Sequence, residues 1–496
     1  MKDLADSPGI RKFPVRLLIF GGLSVLVGSL IGNWVPFGTS MIFCLIVIVN
    51  TIVVTFLVLQ RNMTYGVFLY IYALIFLNLY WRVALPGRVP DMDVPRLVFS
   101  FIWLIFLLEV GLGQRRVAPR TNIESAMLAM MAVLLFSMLV IGKSHIRLFL
   151  NGYAIPYSMF VIGKNIFRTR EDALRLVYWV AVPLSVYFPV NHFFEHAGMR
   201  QFVFPRYIMD PNIGGQALHF GERTIGAFLQ PVVTGLAMIT MFVLSLYGLS
   251  RLKSNLARAL AWGITAITPM GVFLIYSRGA YAGFFMALMV LLVFSKKLKM
   301  YALVILLAAT LMVLGNWSNV KTTDRTQGGV ADDTTARGRL VMLQASMSMF
   351  KDRPFIGVGF LEFTNYSRPY IRQVRMTLLG MRESWMGKRA GQHNHFLTTV
   401  TELGLLGLIP ELLMFYWIFW HLIKARKRHD DGVEHDFVVV VLALFTSYVT
   451  MSTFMEPKYF EFMNAIPFMM AGIVVGSYQR NKLGIGKLTD LKGAQA

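Results

Sequence analysis

Apolar runs of roughly 18 or more residues recur from one end of this chain to the other, and no other feature constrains the fold as tightly. Of its 496 residues 56% are hydrophobic and 15% charged, against about 25% charged in soluble domains. The sequence therefore predicts an all-α integral membrane protein with about 14 transmembrane helices. These are expected near 15–34, 38–60, 64–81, 95–112, 124–142, 146–167, 174–194, 226–248, 256–276, 279–294, 298–316, 396–423, 436–455 and 462–478. The organisation expected is 1–194, the N-terminal helices; 195–316, further helices with a first outward loop; 317–395, a large, partly helical outward loop; and 396–496, the C-terminal helices and tail.

The formal net charge is +22. On a membrane protein such an excess means loops facing anionic headgroups, and no nucleic-acid partner is expected. Basic residues fall in alternate short loops: Arg115, Arg116 and Arg120; Lys164, Arg168 and Arg170; Arg251 and Lys253; Lys296, Lys297 and Lys299; Arg426, Lys427 and Arg428. By the positive-inside rule these loops, and both termini, are expected to be cytoplasmic. The first apolar run lacks a cleavage site and reads as a retained anchor. Cys44 is the only cysteine and lies in an apolar run, so an intrachain disulfide is excluded and no thiolate metal site is indicated.

The large outward loop is expected to hold order of its own. Thr335–Asp352 reads as a helix with Leu340, Leu343, Met347 and Phe350 on one face, capped by Thr334 or Thr335 and stopped by Pro354. A second helix is expected from Pro369 to about Trp385, carrying Arg368, Arg372, Arg375 and Arg382 along one face. That face suits phosphate or acidic headgroups, and a merely solvated basic face is the alternative.

Four outward stretches carry the chemistry. Gly221-Glu222-Arg223-Thr224 leads to Gln230-Pro231 at the start of a span. Ser277-Arg278-Gly279 sets an arginine between two spans with almost no loop, a functional-site signal by default, with snorkelling to headgroups as the alternative. Arg337 and Arg339 open the loop helix, and Lys351-Asp352-Arg353-Pro354 through Gly357 and Gly359 closes it. The fourth is Gln392-His393-Asn394-His395 running into Glu402, Gly404 and Gly407, where small residues are expected to let a neighbouring helix approach closely. An imidazole suits proton transfer near neutral pH; a helix-capping pair of interfacial histidines is the alternative. Asp91 and Asp93 are expected at the surface, with no metal bound. His192, His196 and His219 are expected in loops. Glu402 and Glu456 are alternative bases, with helix packing or arginine pairing favoured.

Taken in order over roughly 220–475, these motifs resemble the O-antigen ligase and O-antigen polymerase superfamily of bacterial membrane glycosyltransferases. The pattern runs from Arg223 through Ser277-Arg278-Gly279, Arg339 with Leu343, Arg353-Pro354-x-x-Gly357-x-Gly359, and His393-Asn394 with Glu402, Gly404 and Gly407. Gln230 stands where asparagine is more usual. The resemblance implies a donor glycan on undecaprenyl pyrophosphate at the periplasmic face of the inner membrane, and a lipid or glycan acceptor. It implies inversion at the anomeric carbon, with no metal and no cofactor. His393 would be the base or would position the hydroxyl, Arg223 and Arg339 would hold the pyrophosphate, and Arg278, Arg337, the arginine face and Asn394 would contact substrate. Ligase and polymerase both fit, as does a protein oligosaccharyltransferase. A flippase or transporter is the non-enzymatic alternative, but it predicts charge near mid-span and related halves, and neither is visible.

Overall fold

The computed structural model describes residues 62–77, 82–83, 92–141, 145–209, 224–315, 333–379, 392–427 and 435–482. Candidate spans 15–34 and 38–60, with Cys44, lie outside them. From 64–81 onward each remaining candidate span has a helix at its place: α1 (Met63–Phe76), α2 (Val94–Gly111), α3 (Asn122–Ile141), α4 (Ile155–Ile166), α5 (Val182–His196), α6 (Pro231–Leu249), α7 (Asn255–Phe273), α8 (Arg278–Phe294), α9 (Lys299–Gly315), α12 (His395–Lys427), α13 (His435–Ser452) and α14 (Glu461–Lys482). Helices α4 and α5 are each entered through a π turn, Leu150–Ala154 and Val177–Ala181. The segment 317–395, expected as a large loop, holds α10 (Asp333–Asp352) and α11 (Phe363–Leu379). Among the described residues, 7 helices are long and apolar enough to cross a membrane. A two-residue antiparallel ladder, β1 (Arg82–Val83) with β2 (Met92–Asp93), precedes α2.

The helix starts follow local chemistry. Asn62 accepts from Thr64 N at 3.0 Å and opens α1; Asp93 accepts from Arg96 N at 2.9 Å and opens α2, with Pro95 at its second position. Asp93 is thus buried, capping and paired to Arg96 at 3.2 Å, contrary to the surface position expected of it. Gln230 caps α6 ahead of Pro231, the cap an asparagine would also supply.

Helix α6 is buried almost along its whole length and forms the centre against α5, α7, α8 and α13. Helices α4 and α14 pack with backbones in contact: a Cβ at Gly163 would meet Met469 O at 2.2 Å, and one at Gly472 would meet Phe160 O at 2.1 Å. Small residues are what admit such an approach between helices in lipid. Lys164, expected at a headgroup-facing loop, is instead fully buried and donates to Glu124 at 2.6 Å. A lone buried ammonium would be far costlier than this paired one. His192 is likewise a buried residue of α5, not a loop histidine.

The expected single span at 396–423 is corrected. Helix α12 breaks at Gly404, whose φ of 63° and ψ of −156° lie outside the helical region. On a straight helix His395 and Glu411 would stand about 24 Å apart, yet His395 Nε2 meets Glu411 Oε1, and the Phe396 and Phe415 ring centroids lie 5.7 Å apart. The chain therefore folds back on itself, with a short arm, 395–403, packed along the first part of a long arm, 405–427.

Two other expectations change in the segment 317–395. Thr334 and Thr335 lie inside α10, so neither caps it, and α11 begins at Phe363, ahead of Pro369. Helix α10 packs through Val341 and Ala345 against Ile371 of α11, while Met349 packs with Val358 and Phe363. The face carrying Leu340, Leu343 and Met347 is exposed.

Candidate functional site at the break in α12

The segment 353–361 is the hinge pin of the site. Its backbone bonds to both sides of the break: Val358 N to Thr401 O at 3.0 Å, Gly359 N to Glu402 O at 2.8 Å, Leu405 N to Pro354 O at 2.8 Å and Leu406 N to Phe355 O at 3.1 Å. These bonds take up helix-end groups that the break would otherwise leave unpaired. The fit excludes side chains. A Cβ at Gly357 would meet Glu402 C at 2.4 Å, and one at Gly404 would meet the Phe355 backbone at 2.4 Å. The element that approaches Gly404 is therefore this loop, not a neighbouring helix, and Gly407 makes room for Leu403 of its own chain turn. The Arg-Pro-x-x-Gly-x-Gly and Glu-x-Gly motifs form one backbone joint. The joint is seated on α3, where Phe360 N donates to Ser137 Oγ at 2.9 Å.

Beneath the joint lies a buried ionic group. Lys458 Nζ donates to Glu402 Oε2 at 2.8 Å and sits 3.1 Å from Glu456 Oε2. Burial pulls the Lys458 ammonium down, but the two carboxylates outweigh it and hold the pKa well above the ordinary lysine range. Lysine, not arginine, is the partner of Glu402 and Glu456. Lys458 was not singled out in the sequence; a charge in the short turn between two apolar runs was its only signal.

Gln392 ties the loop helix to this joint. It is buried, and its Nε2 donates to Ser346 Oγ of α10 and to Thr401 Oγ1 at 3.0 Å. His393 follows with a φ of 50° and stands exposed. Asn394 then caps α12, its Oδ1 accepting from Leu397 N at 3.0 Å. His395 is buried against Glu411, so the two histidines face different surroundings.

Arg339 and the backbone of Gly279 meet at Phe454. The Arg339 guanidinium lies over its ring, 5.3 Å from the centroid, while a Cβ at Gly279 would meet Phe454 Cβ at 2.9 Å. Half-buried Arg278 opens α8 directly beside that contact. Arg339 lies two turns before Ser346 on α10, about 10 Å along the axis. Thr224, which follows Arg223 in the chain, donates to Leu274 O at 3.0 Å, just ahead of the Ser277-Arg278 step. Arg223 and Arg382 lie outside the described residues, as do the side chains of Arg337 and Arg375. Arg368 and Arg372 are exposed on α11, as their spacing predicts. Tyr370, between them, donates to Asp352 at 2.5 Å, and that bond raises its phenol pKa.

Among the described residues, the non-glycine positions with positive φ are Leu229, Tyr276, Leu361 and His393. Each adjoins one of the sequence motifs: Gln230-Pro231, Ser277-Arg278-Gly279, the Gly357–Gly359 loop and His393-Asn394. A non-glycine residue in that region costs about 1–2 kcal/mol, and such strain gathers at functional sites.

Residues 263–410 match the family described as O-antigen ligase, which supports the O-antigen ligase superfamily for this chain. The matched segment holds Arg278, Arg339, His393 and both sides of the break in α12; Arg223 and Lys458 lie outside it. No curated protein matches the chain.

Proposed function

From the O-antigen ligase match over 263–410 and the site within it, we propose that this multi-pass membrane protein is a glycosyltransferase of the bacterial inner membrane. It has about 14 spans, both termini cytoplasmic and its active site on the periplasmic side. It transfers a glycan from undecaprenyl pyrophosphate to an acceptor hydroxyl, as an O-antigen ligase does, with a lipid A core or similar acceptor. The carrying observation is the gathering of Arg339 and the Arg278-Gly279 step around Phe454, with His393 joined to the Arg339 helix through Gln392 and Ser346.

The chemistry follows from those groups. His393, exposed at the mouth of the site, takes the proton of the acceptor hydroxyl. The oxygen attacks the anomeric carbon from the face opposite the pyrophosphate, and the glycosidic C–O bond to the carrier breaks with inversion. The pyrophosphate leaves with the electron pair, and Arg339, Arg278 and Arg223 stabilise the charge that builds on it. Guanidinium forks suit this work because they pair with phosphate oxygens two at a time. Arg368, Arg372, Arg375 and Arg382, with Arg337, hold the phosphates of an acceptor lipid.

The test is purified protein in lipid, given lipid-linked oligosaccharide with and without lipid A core. Transfer to the core, weakened when Arg368, Arg372, Arg375 and Arg382 are changed to glutamine, supports the ligase reading. Chain growth on the oligosaccharide alone, unaffected by that change, makes the protein a polymerase. Neither product would reject glycosyl transfer.

A further inference from the structure

Helix α10 lies outside every candidate span, yet its outward face is apolar. Leu340, Leu343 and Met347 are exposed at helical spacing, while the opposite face packs on α11. Soluble loops rarely leave such a stripe bare. The chain that leaves α10 is more exposed still: Phe355 is 65% and Ile356 49% accessible.

What covers this surface is indicated by what it joins. The long arm of α12 presents Leu406, Ile409, Leu413 and Tyr416 outward at helical spacing, the lipid-facing stripe of a helix apolar enough to span a membrane. Leu406 N donates to Phe355 O at 3.1 Å, so Phe355 sits at the outer end of that stripe and extends it. Lys351 and Arg353 are exposed immediately before it, where anionic headgroups would lie.

We propose that α10 and the Phe355–Ile356 tip are seated in the outer leaflet of the bilayer. Phe355 and Ile356 reach the acyl chains beside Leu406. The Leu340, Leu343 and Met347 face lies along the interface, as amphipathic helices do. The partner is the phospholipid bilayer itself. Seating α10 there sets the height of Arg339 above the membrane, at the level where a lipid-linked pyrophosphate would stand. The inference rests on the membrane reading and is independent of glycosyl transfer.

The experiment uses full-length protein with Cys44→Ser, carrying one of Leu343→Cys, Phe355→Cys, Leu413→Cys or Arg368→Cys, each labelled with a nitroxide. All four positions are exposed, so the labels leave packing intact. The protein is reconstituted in vesicles of phosphatidylethanolamine and phosphatidylglycerol. Collision with oxygen, which partitions into lipid, is compared with collision with a water-soluble nickel chelate. Labels at 343 and 355 are expected to favour oxygen, as at 413, and the label at 368 to favour nickel. Nickel access at 343 and 355 equal to that at 368 overturns the proposal. Low collision with both reagents would mean cover by protein, such as a second copy, and overturns it as well. Glycosyl-transfer activity does not enter either readout.

Discussion

Lys458 donates to Glu402 across 56 positions of sequence, at 2.8 Å and with both side chains buried. The bond joins the turn between α13 and α14 to the last residues before the break in α12. Removing one partner of a buried pair leaves an uncompensated charge, at a cost of about 3–5 kcal/mol. Lys458→Met is therefore expected to lower the unfolding temperature in detergent sharply. Lys458→Met combined with Glu402→Gln and Glu456→Gln should recover much of the loss. Equal damage in the single and triple variants would show that the charges are not the cause.

The two histidines are expected to fail differently. His393 is exposed, so His393→Ala should leave folding intact and lower turnover by about 10²–10⁴-fold. His395 is buried on Glu411, so His395→Ala leaves a carboxylate unpaired and should reduce the amount of folded protein. Adding Glu411→Gln should restore part of it. Circular dichroism and size exclusion separate the two effects from glycan transfer. A folded, fully active His393→Ala protein would remove His393 from the mechanism.

Three glycines give a graded stability test. Gly404→Ala meets backbone at 2.4 Å and requires a positive φ, as does Gly357→Ala. The backbone conformation alone costs about 1–3 kcal/mol, so both variants should fold poorly. Gly338 on α10 has nothing within 4 Å of an added Cβ. Gly338→Ala should be neutral or stabilise by about 0.5–1 kcal/mol. Thermal unfolding of the three proteins checks the order.

Arg223→Lys, Arg278→Lys and Arg339→Lys keep charge but lose the planar fork, and each is expected to reduce glycan transfer strongly. Phe454→Leu, which removes the ring under Arg339, should give a smaller loss of the same kind. Near-wild-type rates in the lysine proteins would mean that the arginines act only as diffuse charge.

The topology is checked by single cysteines in a Cys44→Ser background. Ser318→Cys and Ser384→Cys should react with an impermeant reagent on intact cells, and Lys253→Cys should not. Lys253 is preferred to its neighbour because Ser254 caps α7, accepting from Ala257 N at 3.0 Å. Labelling at 253 from outside would invert the arrangement.

Much of the architecture was legible in the sequence because membrane helices answer to local rules. Apolar run length placed the helices from 64–81 onward, and the helix expected at 335–352 starts two residues earlier, at Asp333. Pro231 and Ser277-Arg278 marked helix starts. The motifs in order named segments that the fold brings to the break in α12 and to Phe454. What only the tertiary structure decided depends on long-range contacts. The fold-back of α12 arises because the 353–361 backbone supplies partners on both sides of Gly404, and a glycine in an apolar run does not announce that. The packed face of α10 could not be chosen by hydrophobicity, since both faces are apolar and only α11 selects one. Lys164 reads as an ordinary loop cation, and Lys458 draws no notice, because their carboxylate partners are distant in sequence. Spacing along a chain records which residues share a helix face. It does not record what another segment brings to that face.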